Sequence, residues 1–342
     1  MKVALVGLGY WGEKVLRNLV ALMGPDHLLA VDERGDRRDA VRGAYPGVAC
    51  AATVDAALED DEVQAVVLAT PAATHAPLGR RVLQARRHLL VEKPLATSVP
   101  DADELVRLAA DRSLKLMVGH TFLFSPRVDV LTGAVKSGRV GNVHYVTTSR
   151  LNLGLYQDDI NVIWDLAPHD FSIVFHVLQE FPVMVQTMAR SSRRGGVPDV
   201  AFMHLAFPSG AIASTTVSWR APRKVRNTVV VGDEGMIVYD DTQPDEPIKL
   251  YDRGVVGLES SSFGEHQLTY RFGDTVSPHV AAVEPLSVQL RHFLSCVEDG
   301  GDCISDGTFG LEVVKALECA DRSWQLGGIP VGIGAAAVKR TA

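Results

Sequence analysis

The sequence predicts a two-domain α/β protein, in which a doubly wound parallel sheet is followed by an α+β domain built on an antiparallel sheet. The chain has 342 residues, which exceeds the size at which a single core keeps growing. Short apolar runs alternate with helical stretches up to about Gly119, and β-branched runs with alternating polarity dominate after it. The first pattern indicates crossover connections and the second indicates hairpins.

The first element is an apolar strand, residues 3–6, that runs directly into a glycine-rich turn. In such a turn the first glycine allows the tight bend, the second lets backbone approach a pyrophosphate, and the third lets the helix pack closely on its strand. The diphosphate then lies at a helix N-terminus, facing unpaired N–H groups. We therefore predict a Rossmann-type dinucleotide site, and its cofactor-binding residues are Gly7, Gly9, Tyr10, Trp11 and Gly12.

About twenty residues beyond the turn, a second apolar run, residues 28–31, ends in Asp32. A carboxylate at this place hydrogen-bonds the ribose hydroxyls of an adenosine and repels the 2′-phosphate of NADP, which favours NAD. An ordinary solvated residue at a strand end is the alternative. Arg34, Arg37 and Arg38 follow, and an arginine just past the acidic residue can accommodate that phosphate. NADP therefore stays open beside NAD.

Three further apolar runs, residues 65–69, 88–91 and 116–118, are predicted as strands of the same sheet. Amphipathic stretches at 76–85 and 101–111 separate them. Strands that alternate with helices form a parallel sheet through crossovers. The dinucleotide-binding domain is thus predicted to span residues 1–119.

The second domain is predicted to span residues 120–330, followed by a tail of small residues at 331–342. It begins with a helix at 126–136 and ends with helices at 284–297 and 308–325, the last of them capped by Asp306. Between these helices lie runs with the alternating pattern of antiparallel strands. The predicted strands are residues 143–151, 183–189, 200–207, 211–219, 226–231 and 236–239.

Composition and charge exclude several classes of protein. A formal charge of −7 argues against a nucleic-acid partner, which requires a basic surface. No stretch reaches the roughly 18 apolar residues of a membrane span, and the first core strand leaves no room for a signal peptide, so a cytoplasmic protein without a membrane partner is expected. The four cysteines lack CxxC or metal-ligand spacing, and no metal site is predicted.

Glu92, Lys93 and Pro94 follow the predicted strand at 88–91, and we predict that all three contact the cofactor and that Lys93 also contacts the substrate. Ligands of open α/β sheets bind at the carboxyl ends of the strands, so an ammonium group here lies where substrate and nicotinamide should meet. The alternative is a surface lysine in a loop. Pro94 favours the functional interpretation because it fixes the backbone just beyond the lysine and allows a cis peptide bond.

Asp165 and His169 stand four residues apart in the segment around Pro168. Proline is tolerated in the first turn of a helix, which predicts a helix that begins near Asp165 and presents both side chains on one face. A histidine close to a carboxylate is the usual group for moving the proton of an alcohol. The alternative is that Asp165 caps the helix and His169 is a core histidine.

The residues after the strand at 65–69 form a third candidate segment. Its hydroxyl groups and backbone amides are suited to line a dinucleotide, with Thr70, Pro71 and His75 as the predicted contacts. The alternative is that Thr74 is only the N-cap of the next helix.

These groups together suit hydride transfer between a carbinol carbon and nicotinamide. That reaction needs near-contact geometry between the two carbons and a group that accepts the hydroxyl proton. A cationic lysine stabilises the developing alkoxide, and a histidine or lysine takes the proton. The cleft between the two domains is the expected site.

The whole chain resembles the glucose-fructose oxidoreductase, inositol dehydrogenase and rhizopine-catabolism family, usually written Gfo/Idh/MocA. The residues that carry the resemblance are the glycine turn, Asp32, residues 69–75, Glu92-Lys93-Pro94, Gly119-His120-Thr121-Phe122, and Asp165 with His169. The resemblance implies a Rossmann domain, a second domain with an open-faced antiparallel sheet, and an NAD(P) cofactor. It also implies oxidation or ketoreduction at a sugar or cyclitol carbon, and homodimers or homotetramers formed through the open sheets.

Carried onto this chain, the resemblance makes Lys93 the motif lysine at the reacting oxygen, His169 the acid/base and Asp165 its neighbour in the substrate pocket. The Tyr10-Trp11 form of the glycine turn and residues 161–164 resemble members that act on nucleotide-linked sugars, including C3 dehydrogenases and ketoreductases. Further substrate-binding candidates, chosen by proximity in sequence, are Arg150, Tyr156 and Trp164.

Two other hypotheses differ from a sugar dehydrogenase. One is a reductase of a non-carbohydrate carbonyl or imine, because similar two-domain layouts serve other substrates. The other is a non-catalytic dinucleotide sensor. The joint presence of Lys93, Asp165 and His169 argues against the sensor, which has no need of them.

Overall fold

The computed structural model describes residues 1–154, 160–192, 196–257 and 268–334. The chain divides into two compact units. Unit 1 comprises Met1–Ser125 and Val283–Lys315, and unit 2 comprises Pro126–Ala282 and the chain from Ala316 onward. Within the described ranges, every helix is too short or too polar to cross a membrane.

The strands of the described ranges form one sheet in each unit. They are, in chain order, β1 (Lys2–Val6), β2 (Leu28–Val31), β3 (Ala49–Ala51), β4 (Val63–Leu68), β5 (His88–Glu92), β6 (Leu116–Gly119), β7 (Val143–Leu153), β8 (Met184–Arg190), β9 (Val200–Ala206), β10 (Ile212–Ser218), β11 (Arg220–Gly232), β12 (Met236–Asp240), β13 (Ile248–Gly257), β14 (Leu268–Val276) and β15 (Val331–Gly332).

The α-helices of the same ranges lie between and after these strands. They are α1 (Tyr10–Met23), α2 (Gly35–Ala44), α3 (Val54–Leu58), α4 (His75–Gln84), α5 (Val99–Asp111), α6 (Pro126–Lys136), α7 (Val162–Leu178), α8 (Pro285–Asp299) and α9 (Gly307–Gln325).

Unit 1 contains a parallel sheet in the order β3-β2-β1-β4-β5-β6. The chain starts at β1 in the middle of the sheet, winds outward to β3 and then returns to β4 on the other side. Strands β1, β2, β4 and β5 are almost continuously apolar and buried, as expected for strands with both faces covered. The predicted doubly wound parallel sheet is confirmed. The short edge strand β3 was not predicted.

Unit 1 also includes a segment that lies far along the chain. Helix α8 packs on α1 and on the turn at Thr121–Phe124. The backbone N–H of Val118 at β6 donates to the Ser305 carbonyl oxygen (2.8 Å), and Ser305 Oγ donates to the Val118 carbonyl oxygen (2.7 Å). Residues 120–125 and 283–315 therefore belong with the first 119 residues, whereas the sequence division placed them in the second domain.

Unit 2 contains a mixed, largely antiparallel sheet in the order β14-β13-β12-β11-β7-β10-β9-β8-β15. Its neighbours pair antiparallel except for β7 and β10, which run parallel. The predicted antiparallel sheet is confirmed, except that β7 and β10 pair parallel and that β13, β14 and β15 were not predicted. Helix α7 packs on β7, β9 and β10, and the side chains of these strands alternate between buried and exposed positions.

Helix α7 begins earlier than the sequence predicted. Asn161 is its N-cap, and the side-chain oxygen accepts hydrogen bonds from the N–H groups of Ile163 (3.0 Å) and Trp164 (3.1 Å). Pro168 consequently lies inside the helix, and the prediction that the helix begins near Asp165 is wrong. The capped first turn outweighs the one hydrogen bond that an internal proline removes.

The last described residues are part of unit 2. Strand β15 pairs with β8 through Val331 and Val185, so the predicted tail at 331–342 begins within a strand. At the start of α9, Asp306 Oδ1 accepts a hydrogen bond from the Phe309 N–H (2.7 Å). The predicted cap of this helix is confirmed.

Candidate active site

The glycine turn of unit 1 joins β1 to α1, and two of its glycines, Gly7 and Gly12, have no room for a side chain. Gly7 has a φ of +95°, and a Cβ there would lie 2.5 Å from the carbonyl oxygen of Ala69. A Cβ on Gly12 would lie 1.9 Å from the carbonyl oxygen of Gly7. Gly9 is the N-cap residue of α1, and no side chain accepts hydrogen bonds from the first N–H groups of this helix. The first turn of the helix thus presents backbone N–H groups, which suit an anion.

Asp32 lies at the end of β2, the strand next to this turn. Its Oδ2 accepts hydrogen bonds from the Leu8 N–H (2.8 Å) and from Arg37 Nη1 (3.1 Å), and its Oδ1 accepts one from the Arg34 N–H (2.9 Å). Burial opposes ionisation of this carboxyl group, but the three donors outweigh it and hold the pKa below its ordinary value. Asp32 is therefore a fixed carboxylate beside the glycine turn.

A cavity of about 780 Å³ runs along the carboxyl ends of β1, β2 and β4. This volume lies within the range of small-molecule and cofactor sites. Six of its lining residues are Gly9, Trp11, Asp32, Arg37, Thr70 and Pro71.

His75 lies after β4 and contacts the loop after β5. His75 is 1% exposed; its Nδ1 lies 2.7 Å from the Pro94 carbonyl oxygen and its Nε2 lies 2.9 Å from the Thr70 carbonyl oxygen. Burial lowers its pKa, and a neutral imidazole donates through one nitrogen. Thr74 forms no side-chain cap, and its Oγ1 lies 2.7 Å from both Thr70 Oγ1 and the Pro71 carbonyl oxygen. Thr74 is therefore the N-cap residue of α4, as that alternative had it, but its side chain does not cap the helix.

Lys93 follows β5 directly, at the same edge of the sheet as the glycine turn. The peptide bond between Lys93 and Pro94 is cis, as the sequence allowed. Its neighbour Glu92 accepts hydrogen bonds from Trp11 Nε1 at Oε1 (2.5 Å) and from the Lys93 N–H at Oε2 (3.3 Å). The sequence placed Trp11 and Glu92 at the cofactor separately. Their contact was not predicted, because 81 residues separate them.

His120, just after β6, is a further residue at this edge. It is 1% exposed, and its ring lies edge-on to Phe309 with 5.7 Å between centroids. Burial, together with the charge of Lys93, lowers its pKa to about 3. Neither ring nitrogen has a hydrogen-bond partner among the described residues. His120 belongs to a motif that carries the family resemblance, but the sequence alone assigned it no role. The observation that could have given His120 a role is its closeness to Lys93, which the structure shows and the sequence does not.

In unit 2, α7 carries both residues of the predicted acid/base pair. Asp165 and His169 lie one turn apart and are both partly exposed. Asp165 Oδ2 accepts a hydrogen bond from Trp219 Nε1 (3.0 Å), so the carboxylate is held by the indole of a buried tryptophan. Asp165 does not cap the helix, which corrects that alternative.

The other substrate-binding candidates differ in their surroundings. Arg150 is 6% exposed, and its Nε donates to Asp170 Oδ2 (2.8 Å) within a two-contact ion pair. Trp164 is partly exposed and donates to Asp321. Tyr156 lies outside the described residues. Substrate contact by these residues stays a prediction.

Comparison with known proteins identifies the chain. Residues 1–120 match the oxidoreductase family with an NAD-binding Rossmann fold, and residues 130–238 match the GFO/IDH/MocA C-terminal domain. The chain belongs to the Gfo/Idh/MocA family. The resemblance drawn from its motifs is thereby confirmed, and so is its assignment as an NAD-binding oxidoreductase.

The relatives cover nearly the full length of this family member. Inositol 2-dehydrogenase of Rhizobium meliloti is 27% identical over 88% of this chain and 93% of its own. UDP-N-acetylglucosamine 3-dehydrogenase of Acidithiobacillus ferrooxidans is 27% identical over 92% of this chain and 95% of its own. The crystal structure of GenD2 from gentamicin A biosynthesis, in complex with NAD, has a TM-score of 0.81 and 27% identity, covering 98% of this chain and 97% of that one.

The residues of unit 1 fit the NAD of this family. The nearest atoms to a Cβ at Gly9 would be those of the Arg37 guanidinium group, at 3.6 Å or more, so the backbone at the start of α1 is open to a diphosphate. The fixed carboxylate of Asp32 is suited to accept hydrogen bonds from ribose hydroxyls. Within the described ranges, no group of three or more histidine, cysteine or acidic side chains is arranged to hold a metal ion.

Proposed function

We propose that this protein is an NAD-dependent dehydrogenase or reductase that acts on a CH–OH or keto carbon of a sugar, most specifically a nucleotide-linked sugar or a cyclitol. One observation carries the proposal. Lys93 follows β5 at the sheet edge that also holds the glycine turn and Asp32, and ligands of doubly wound sheets bind at that edge. An ammonium group there has no purpose in a protein that only binds a dinucleotide.

Each proposed residue has a separate chemical task. When bound, NAD supplies the hydride acceptor, or NADH the donor. The Lys93 ammonium stabilises negative charge on the substrate oxygen. His169 takes the hydroxyl proton during oxidation and returns it during reduction, and Asp165, one turn earlier on α7, contacts the substrate beside it.

The substrate class rests on relatives that act on sugar or cyclitol hydroxyls. Two of these relatives are an inositol 2-dehydrogenase and a UDP-N-acetylglucosamine 3-dehydrogenase, and both match more than 85% of this chain. The Tyr10-Trp11 turn and residues 161–164 favour the nucleotide-linked sugars among these substrates.

A panel assay tests this function. The protein is incubated with NAD or NADH and with sugars, nucleotide sugars and inositols, and turnover is followed by nicotinamide absorbance. We expect Lys93→Met to abolish turnover and to leave NAD affinity nearly intact, and His169→Ala to lower the rate about 10²–10⁴-fold. Lys115→Met is the matched control, because that ammonium group binds the Gly300 carbonyl oxygen at the surface. Silence with every substrate beside tight dinucleotide binding indicates a sensor, and a retained rate in Lys93→Met removes the lysine from the mechanism.

We also propose that the protein is a homo-oligomer, a dimer or a tetramer, joined through the open face of the unit 2 sheet. Large apolar side chains are exposed on this face, on strands whose alternate residues are buried. Phe202 pairs with Met188 across β9 and β8, and Ile212 pairs with Tyr145 across β10 and β7. The exposed fractions are 52% for Phe202 and 68% for Met188, and 58% for Ile212 and 41% for Tyr145. Exposed large apolar side chains on one face of a sheet support a protein partner there.

The assembly is tested by molar mass in solution. We expect light scattering to give a dimer or tetramer for the natural protein and a smaller species for Phe202→Glu. The control is Ile304→Glu, an equivalent change at a 44% exposed isoleucine of unit 1. An unchanged mass in Phe202→Glu removes the open sheet as the interface.

The proposed location is the cytoplasm. All four cysteines lie within the described residues and are free thiols, as a reducing compartment favours. Cell fractionation with an antibody to the protein tests this location, and recovery outside the cytosolic fraction contradicts it.

A further inference from the structure

A hydrogen bond between Trp11 and Glu92 connects two parts of the cofactor site that are distant in sequence. Trp11 lies in the first turn of α1 and lines the cavity beside the glycine turn. Glu92 is the last residue of β5 and immediately precedes Lys93. The Trp11 indole N–H donates to Glu92 Oε1 (2.5 Å). The contact thus joins the glycine turn, where the diphosphate is proposed to bind, to the end of β5, which precedes the Lys93 ammonium group.

The space for this carboxyl group depends on a glycine in the neighbouring strand. Gly119 at the end of β6 is in register with Glu92 on β5. A Cβ at Gly119 would lie 2.9 Å from the carboxyl carbon and from both carboxyl oxygens of Glu92. Any other residue at 119 would therefore displace the carboxyl group from Trp11. This fit is an observation separate from the hydrogen bond: the glycine at 119 leaves room for the Glu92 carboxyl group at the place where Trp11 meets it.

Both carboxyl oxygens of Glu92 face N–H donors. Oε1 accepts from Trp11, and Oε2 accepts from the Lys93 backbone N–H (3.3 Å). The charged group that acts on the carboxyl is Lys93, while α1 and β6 contribute the uncharged Trp11 and Gly119. An ionised carboxylate satisfies both donors, whereas a protonated one gives up an acceptor site to its own proton.

We propose that Glu92 is a positioning residue, which fastens the glycine turn through Trp11 to the strand end that carries Lys93 and so sets the place of the dinucleotide relative to the ammonium group. Trp11 is its partner in this role. The proposal rests on the proposed function for its effect on turnover, but the contact itself can be tested without any substrate. The name "Trp11–Glu92 brace" is used for these two side chains and the hydrogen bond between them.

The brace is tested first without activity. The four tryptophans are labelled with ¹⁵N, and their indole N–H resonances are assigned by single Trp→Phe variants. Burial of the Glu92 carboxyl group raises its pKa to about 7, so we expect the Trp11 resonance to move with a midpoint near neutral pH. In Glu92→Gln, which keeps the shape of the side chain and cannot ionise, the same resonance should be independent of pH. A Trp11 resonance that is the same in the natural protein and in Glu92→Gln at every pH overturns the brace.

The second test separates positioning from stability. We expect Trp11→Phe and Glu92→Gln each to lower kcat by about tenfold, while the Kd for NADH, measured by fluorescence, changes by less than about threefold. Trp11→Phe should also move the acid limb of the kcat profile to higher pH, because the lost N–H favoured the ionised carboxylate. Trp324→Phe, at a partly exposed tryptophan of unit 2, is the control for loss of an indole.

The outcomes distinguish this proposal from the proposed function. Natural kcat values and an unmoved acid limb in both variants overturn positioning by the brace, even if the indole titrates. If no substrate is turned over by the natural protein, the proposed function fails. The brace is then judged by the Trp11 indole resonance alone, and a resonance that is the same in the natural protein and in Glu92→Gln overturns it.

Discussion

Arg150 on β7 and Asp170 on α7 form a buried, two-contact ion pair in unit 2. Nε donates to Oδ2 at 2.8 Å and Nη2 donates to Oδ1 at 3.3 Å, with 8% and 2% of the side chains exposed. Burial raises the pKa of Asp170, and the charge and hydrogen bonds of Arg150 oppose that rise. The pair fastens α7, which carries Asp165 and His169, to the central part of the sheet.

We expect Arg150→Met to destabilise unit 2 by about 3–5 kcal/mol, because removal of one partner leaves the other charge buried. Urea unfolding followed by tryptophan fluorescence measures this, since Trp164, Trp219 and Trp324 all lie in unit 2. The control is Arg107→Met, which breaks the exposed pair with Asp103 and should cost less than about 1 kcal/mol. A stable Arg150→Met protein that fails to bind substrate would instead make Arg150 a substrate residue.

Gly12→Ala should disrupt the dinucleotide site. The added Cβ would lie 1.9 Å from the Gly7 carbonyl oxygen, so α1 must move away from the turn at which we propose the diphosphate binds. We expect the Kd for NADH to rise at least about tenfold, or about 1.4 kcal/mol. In the control, Gly43→Ala, the Cβ meets nothing within 4 Å in α2 and the protein should gain up to about 1 kcal/mol of stability. NADH affinity within twofold of the natural protein in Gly12→Ala would contradict the assigned geometry.

Asp32→Ser should weaken the preference for NAD over NADP. The substitution removes the carboxylate that accepts from Leu8, Arg34 and Arg37, and it frees the guanidinium group of Arg37 for a 2′-phosphate. We expect the ratio of the two dissociation constants to shift by about tenfold toward NADP. Asp39→Ser is the control, because Asp39 pairs with Arg42 at the surface. An unchanged ratio would show that Asp32 does not select the cofactor.

The sequence predicted those parts of the site that depend on local pattern. The glycine turn, Asp32 and Lys93 each sit at the end of an apolar run, and a strand of this kind fixes the direction of the residue that follows it. The same reasoning placed Asp165 and His169 on one helix. The predicted start of that helix was wrong, because the helix is capped by Asn161 and accommodates Pro168 in its interior.

The parts that escaped prediction depend on contacts between distant segments. An amphipathic helix shows that one face is buried, but not which segment covers it, so the packing of α8 on α1 is invisible in the sequence. The parallel pairing of β7 with β10 is hidden for the same reason, since alternation fixes the face of a strand and leaves its direction open. The contact of Trp11 with Glu92 belongs to this class.

Glu92→Gln should become more stable relative to the natural protein as the pH rises. Burial raises the pKa of Glu92 from 4.5 to about 7, against the opposing effects of Trp11 and Lys93. The folded state therefore binds more protons than the unfolded state between these two values, and stability falls as the pH rises through them. A pKa difference of this size corresponds to a loss of roughly 3 kcal/mol of stability at most. Glu92→Gln does not undergo this loss, because its amide is uncharged.

Thermal and urea unfolding without cofactor at pH 5 and pH 8 measure this effect. We expect the free energy of unfolding of Glu92→Gln, minus that of the natural protein, to increase between the two pH values. Glu104→Gln is the control, because the bond and charge of Arg80 lower the pKa of that exposed carboxyl group. The pKa of Glu104 then lies below pH 5 in both the folded and the unfolded protein. The difference in the free energy of unfolding between Glu104→Gln and the natural protein should therefore stay constant. The same constancy in Glu92→Gln would mean that this carboxyl group is ionised throughout and that its surroundings are more polar than the contacts with Trp11 and Lys93 imply.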